Sequence, residues 1–206
     1  MPNQYSDDLA YVREVAEAGI SAPLLGGRFL VWWGGLVTAA YIGHYIIISG
    51  TAGLGMDWLG IMWLAFITLG LGGYFTLMRL FPTDKPGASS VGNRVSETVW
   101  MASGFVLFSF FAGVTLKSAL EGQASIGFNW SIPLVLGVYG ISQLVSGLMA
   151  KSKALVFAGY GAIASVGLTA LIVDQMELYL AAAAAAAVTV LIPGILMLRN
   201  EPSTTV

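Results

Sequence analysis

His44 is the only histidine of the chain and lies in an apolar stretch between Tyr41 and Tyr45. Imidazole is the side chain whose ordinary titration falls near neutrality, and an ionisable group inside an apolar span is a functional-site hypothesis by default. A proton relay through His44 needs a carboxylate in reach, and the nearest candidates are Asp57, Asp174 and Glu177 at the ends of neighbouring segments. The competing reading is a histidine that hydrogen-bonds between helices or at an interface. Bis-histidine haem ligation would require two copies of the chain, and His/Met ligation would draw on one of eight methionines. No His, Cys or carboxylate spacing marks a metal site, so no residues are assigned to a cofactor and none is evident.

Gln143 is the second candidate for an intramembrane polar site. With Ser142 and Ser146 it either hydrogen-bonds across to a neighbouring helix or lines a narrow polar cavity, and its amide demands a partner. Arg94 and Glu97, three residues apart, are an expected ion pair at the start of a helix, read as a gate or partner site or simply as an interfacial pair. Pro193-Gly194 follows a run of seven alanines, and a proline there frees a backbone carbonyl and can hinge the helix. Gly35, Ala39 and Gly43 follow the small-xxx-small pattern that lets helices approach closely in lipid, as do Ser109 with Gly113 and Gly161 with Ser165. Catalysis is disfavoured. The chain has no cysteine, no GxSxG or HExxH, and no acidic residue clearly within an apolar stretch.

The elements that must position these residues follow from composition. Only 10% of the 206 residues are charged and 57% are hydrophobic, whereas a soluble domain carries about a quarter charged. A bilayer core roughly 30 Å thick needs about 20 apolar residues per helix. Six segments satisfy this, at 29–49, 58–80, 97–117, 130–150, 154–173 and 178–198, predicting an all-α, polytopic six-helix bundle over 28–199. Residues 1–27 form a separate amphipathic segment and 200–206 a short tail. Arg13, Arg28, Arg79, Lys85, Arg94, Lys151, Lys153 and Arg199 fall on one side and Lys117 alone on the other, which places both termini in the cytoplasm. Trp32, Trp33 and Trp100 then lie near cytoplasmic ends, and Trp58, Trp63 and Trp130 near the opposite ends.

Residues before Pro23 read as a short amphipathic helix with an acidic excess, expected either to fold back on the basic loops or to hang loosely at the interface. No basic n-region precedes a short apolar core, so the first span is expected to act as its own insertion signal. The net charge of −2 gives no electrostatic case for nucleic acid. The expectation is a non-enzymatic multi-pass protein of a bacterial inner membrane, an accessory or regulatory component acting on a membrane-protein partner or as a homo-oligomer. The first alternative is a small-molecule, ion or lipid-handling transporter, with His44 and Gln143 near the pathway. A haem- or quinone-binding electron-transfer subunit is the second.

Overall fold

The structure, a computed structural model, describes Asp8 and residues 23–81 and 87–201. The amphipathic helix expected before Pro23, with Arg13, lies outside the described residues, as does Lys85. Six helices follow in order: α1 Gly27–Ile48, α2 Trp58–Leu80, α3 Val91–Glu121, α4 Gly127–Met149, α5 Lys153–Leu171 and α6 Leu178–Arg199. There is no strand among the described residues. At 1.5 Å per residue the helices measure about 28 to 46 Å. All six are long and apolar enough to cross a membrane, as in a multi-pass membrane protein.

The boundaries differ most at α3, which begins six residues before the expected start at 97. Ser90 is extended and its hydroxyl oxygen accepts the Asn93 N–H at 3.3 Å, capping the helix there. The polar first turns conceal this start from an apolar count. Gly122, at φ 65°, ends the helix in the left-handed region. Trp100 consequently lies about 14 Å inside α3 rather than at its end, where its ring packs on Tyr139 with centroids 5.6 Å apart.

Successive helices are antiparallel. Gly27 of α1 adjoins Leu198 of α6, and Gly147 of α4 adjoins Val156 of α5. Ser96 of α3 meets Ser146 of α4, and Trp33 of α1 meets Gly70 of α2. One face of the bundle, here called proximal, therefore gathers the starts of α1, α3 and α5 with the ends of α2, α4 and α6. Arg28, Arg79, Arg94, Lys151, Lys153 and Arg199 lie toward it, and Lys117 toward the distal face. The tight α4–α5 turn holds Lys151 at φ 53°, an unusual conformation for a residue with a side chain, and closes with Ser152 N–H donating to Gly147 O at 2.8 Å.

α1, α4, α5 and α6 form the core, while α2 packs on α1 and α3 packs on α4. Of the most apolar stretch of each helix, 56% is buried in α4 but only 6% in α2 and in α3. Glycines set the close crossings. A Cβ on Gly159 would stand 2.8 Å from Leu144 N and 2.9 Å from Gly140 O, so α4 and α5 touch backbone to backbone. Between α1 and α6, a Cβ on Gly34 would lie 2.8 Å from Leu191 N, and one on Gly194 2.7 Å from Val31 N. α2 instead uses Gly70 and Gly73 as seats for the rings of Trp33 and Trp32. Of the three expected packing residues on α1, Gly43 faces Met62, whereas Gly35 has nothing within 4 Å and Ala39 is exposed. The contact with α6 falls at Gly27 and Gly34, spaced seven apart rather than four.

Candidate functional site

The polar and aromatic candidates fall into three groups at different depths. Toward the distal face, the His44 ring of α1 stacks on Tyr179 of α6 with centroids 3.6 Å apart and planes 13° apart. Trp63 of α2 donates its Nε1–H to His44 Nδ1 at 3.1 Å. Nδ1 is thus an acceptor, and the neutral ring assigned by this bond carries its proton on Nε2. Tyr179 donates its hydroxyl to Asn129 Oδ1 at 2.8 Å, and Asn129 Nδ2 donates to Val173 O at 3.2 Å. Tyr41 closes the group, with its ring 6.1 Å from Trp63 and 6.4 Å from Tyr179.

This cluster joins α1, α2, α4 and α6 to the α5–α6 turn. Aromatic pairs contribute about 0.5–1.5 kcal/mol each beyond contact area, so its clearest physical effect is to fix four helices together. Asp57, Asp174 and Glu177 are exposed, and His44 forms no ion pair with them. The arrangement holds His44 as a neutral hydrogen-bonding group whose acceptor nitrogen is already engaged.

Gln143 lies about 24 Å along α4 from its distal end and His44 about 6 Å from the distal end of α1, so the two are roughly 18 Å apart along the bundle axis. The structure does not bring them together. Gln143 is 0% exposed, and neither Nε2 nor Oε1 has a hydrogen-bond partner. Its serine neighbours are engaged elsewhere. Ser142 Oγ donates to Val138 O at 2.8 Å and lies 2.6 Å from Ser103 Oγ, while Ser146 Oγ donates to Ser96 Oγ at 2.9 Å. Those two serine pairs fasten α3 to α4.

At the level of Pro193, α6 widens into a π segment at Ala187–Leu191, with Ile192 N–H donating to Ala187 O. Proline has no N–H to restore the usual ladder, and π segments often accompany functional sites. Pro193 and Gly194 are buried, with Gly194 against Leu30 and Val31 of α1. The irregular segment is therefore braced by a neighbour.

The proximal face carries the third group. Arg28 pairs with Glu201, donates to Phe81 O at 3.3 Å and lies 5.0 Å from the Phe81 ring centroid. Both members of the ion pair are largely buried, at 10% and 3% side-chain exposure. Arg28 thus joins the start of α1 to the ends of α2 and α6. Asn93 holds the residues before α1: Leu25 N–H donates to its Oδ1 at 3.0 Å, and its Nδ2 donates to Pro23 O at 3.0 Å and Gly87 O at 2.9 Å. Arg94 and Glu97 are both exposed and do not pair with each other among the described residues. α3 starts at Val91, so Glu97 is removed from the helix terminus, and the Arg-before-Glu order is the weaker one on a helix.

Sequence reasoning singled out His44 and Gln143 but missed Trp63, Tyr179 and Asn129 as partners, because those contacts cross 19 to 135 positions of chain. It also missed Glu201 as the partner of Arg28. Among the described residues no three His, Cys, Asp or Glu side chains gather in one place. Comparison of the chain with family models, curated proteins and solved structures finds no match, so its function is argued from these residues alone.

Proposed function

We propose that this chain is a non-catalytic, multi-pass membrane protein, with its proximal face in the cytoplasm, that acts by lateral contact with another membrane protein through α2 and α3. The observation that carries the reading is the position of small residues on these two helices. Gly60 and Gly72 of α2 and Gly104 and Gly113 of α3 are exposed, and a Cβ on any of them would meet nothing within 4 Å. Ser109, one turn before Gly113, is exposed as well. Small residues in membrane helices allow close backbone approach, a use that these four glycines do not find inside this chain. The clustering of cations at the proximal face supports the orientation, and the bundle's polar groups are arranged for cohesion rather than along one path.

A photoreactive phenylalanine analogue at Leu64 or Phe108, which are 66% and 73% exposed, tests this in intact membranes. Both positions should yield an adduct with the same second polypeptide. The same analogue at Leu168, on the exposed side of α5, should label lipid only. Lipid adducts alone at all three positions would refute the contact surface.

The second reading, passage of a small solute, is favoured by one observation: the unpartnered Gln143 at the depth of the π segment and Pro193 in α6. In that reading α6 bends where its hydrogen-bond ladder is already interrupted.

A further inference from the structure

We infer that the start of α3 carries a groove for one anionic phospholipid, with its phosphate on Arg94 and an acyl chain along a row of valines. Such a lipid binds with or without a protein partner on α2 and α3. Side chains four positions apart form ridges on a helix, and Val91, Val95 and Val99 make one ridge while Arg94 and Thr98 make the next. Between them runs a groove of about 360 Å³, lined among the described residues by these same side chains. Thr98 Oγ1 donates to Arg94 O at 2.9 Å, so its hydroxyl proton is spent on its own helix. The Arg94 guanidinium is exposed and makes no ion pair or hydrogen bond among the described residues. The groove therefore offers one unengaged cation, rich in donors, beside apolar surface.

Depth and polarity choose the occupant. α3 is about 46 Å long against a hydrocarbon core of roughly 30 Å, so its end turns stand at headgroup level. A Cβ on Gly92 would lie 3.6 Å from Ala150, which sets the groove level with the proximal α4–α5 turn that carries Lys151 and Lys153. From Arg94 the groove continues past Val95 to Val99, about 8 Å toward the bilayer centre. Cation at the headgroup and methyl groups below it match the two ends of a phospholipid. A guanidinium contacts a phosphate through paired N–H donors, and the chain beneath covers the valines. A free phosphate would use Arg94 and leave the valines bare. Glu97 lies on the other side of Arg94 from Val95 and does not line the groove, so its carboxylate does not face the site.

Native mass spectrometry of the purified, delipidated full-length chain tests this, with phosphatidylglycerol and phosphatidylcholine of identical acyl chains as probes. The parent should retain one phosphatidylglycerol about fivefold more than one phosphatidylcholine, the scale for a single cation acting on an anionic lipid. Arg94→Gln should bring phosphatidylglycerol down to the phosphatidylcholine level. Val91→Asp should do the same, because a carboxylate three positions before Arg94 pairs with its guanidinium. That carboxylate also suits the start of a helix and replaces a side chain that is 64% exposed, so the fold is kept. Lys153→Gln removes an exposed cation from the same face outside the groove and should leave the preference unchanged. Equal retention of the two lipids by the parent, or equal loss in Arg94→Gln and Lys153→Gln, would overturn the site. Displacement of phosphatidylglycerol by equimolar inorganic phosphate would overturn the lipid in favour of a free anion. A dimer that depends on Arg94 and carries no lipid would overturn it in favour of a second copy of the chain.

Discussion

Gly159→Ala should destabilise the purified protein by about 1–3 kcal/mol and Gly159→Leu by more, enough to abolish a monodisperse folded species in mild detergent. The added Cβ would meet Leu144 N at 2.8 Å and Gly140 O at 2.9 Å, and both are backbone atoms that no rotamer change can move. The helices would have to separate, and separation costs most here because the crossing lies inside the four-helix core. Lipid is as apolar as leucine, so contact distance, not solvent exclusion, holds such helices together. The matched control is Gly104→Ala on the outward side of α3, where the new methyl meets nothing within 4 Å. That variant should equal the parent or gain up to about 1 kcal/mol, because alanine is the better helix former. Thermal unfolding followed by circular dichroism separates the two. Equal losses from both substitutions would mean that the α4–α5 crossing is not a close one.

Arg28→Met should cost about 3 kcal/mol by the same measurement, because it removes the guanidinium from a Glu201 side chain that is only 3% exposed. It also removes the donor to Phe81 O and the cation above the Phe81 ring. Arg28→Lys should recover only part of the loss, since an ammonium lacks the fork that contacts Glu201 and Phe81 together. Combining Arg28→Met with Glu201→Met should restore part of the stability by removing the buried carboxylate together with its guanidinium. A double variant no better than Arg28→Met would show that Arg28 contributes through packing rather than charge.

The six-helix layout was legible because apolar length and basic-residue sidedness are properties of the sequence itself. α2 falls at the expected positions, and α4, α5 and α6 end within three residues of theirs. α3 was misjudged because its first turns, with Gly92, Asn93 and Arg94, are polar, while the Ser90 cap is a single side chain that no apolar pattern announces. The close crossings were harder to read. A search for small residues four apart selects Gly35, Ala39 and Gly43, yet α1 meets α6 through Gly27 and Gly34, and α4 meets α5 through Gly140 and Gly147. Both working pairs are seven apart, the spacing that returns a residue to the same face after two turns. His44 and Gln143 stood out as polar residues in apolar surroundings, but their environments depend on which helices adjoin. That is why Trp63 and Tyr179 around the first, and the lack of any partner for the second, emerged only from the fold.

The proposed role of this bundle is to hold another membrane protein against α2 and α3. Native mass spectrometry of the tagged protein, gently released from its own host membrane, addresses it most directly. One reproducible second polypeptide of fixed stoichiometry is expected, lost when Gly104 and Gly113 are both replaced by leucine while the chain itself remains folded. A lone chain or homo-oligomer carrying a defined small ligand, unaffected by those replacements, would contradict it and shift the function to the interior around Gln143.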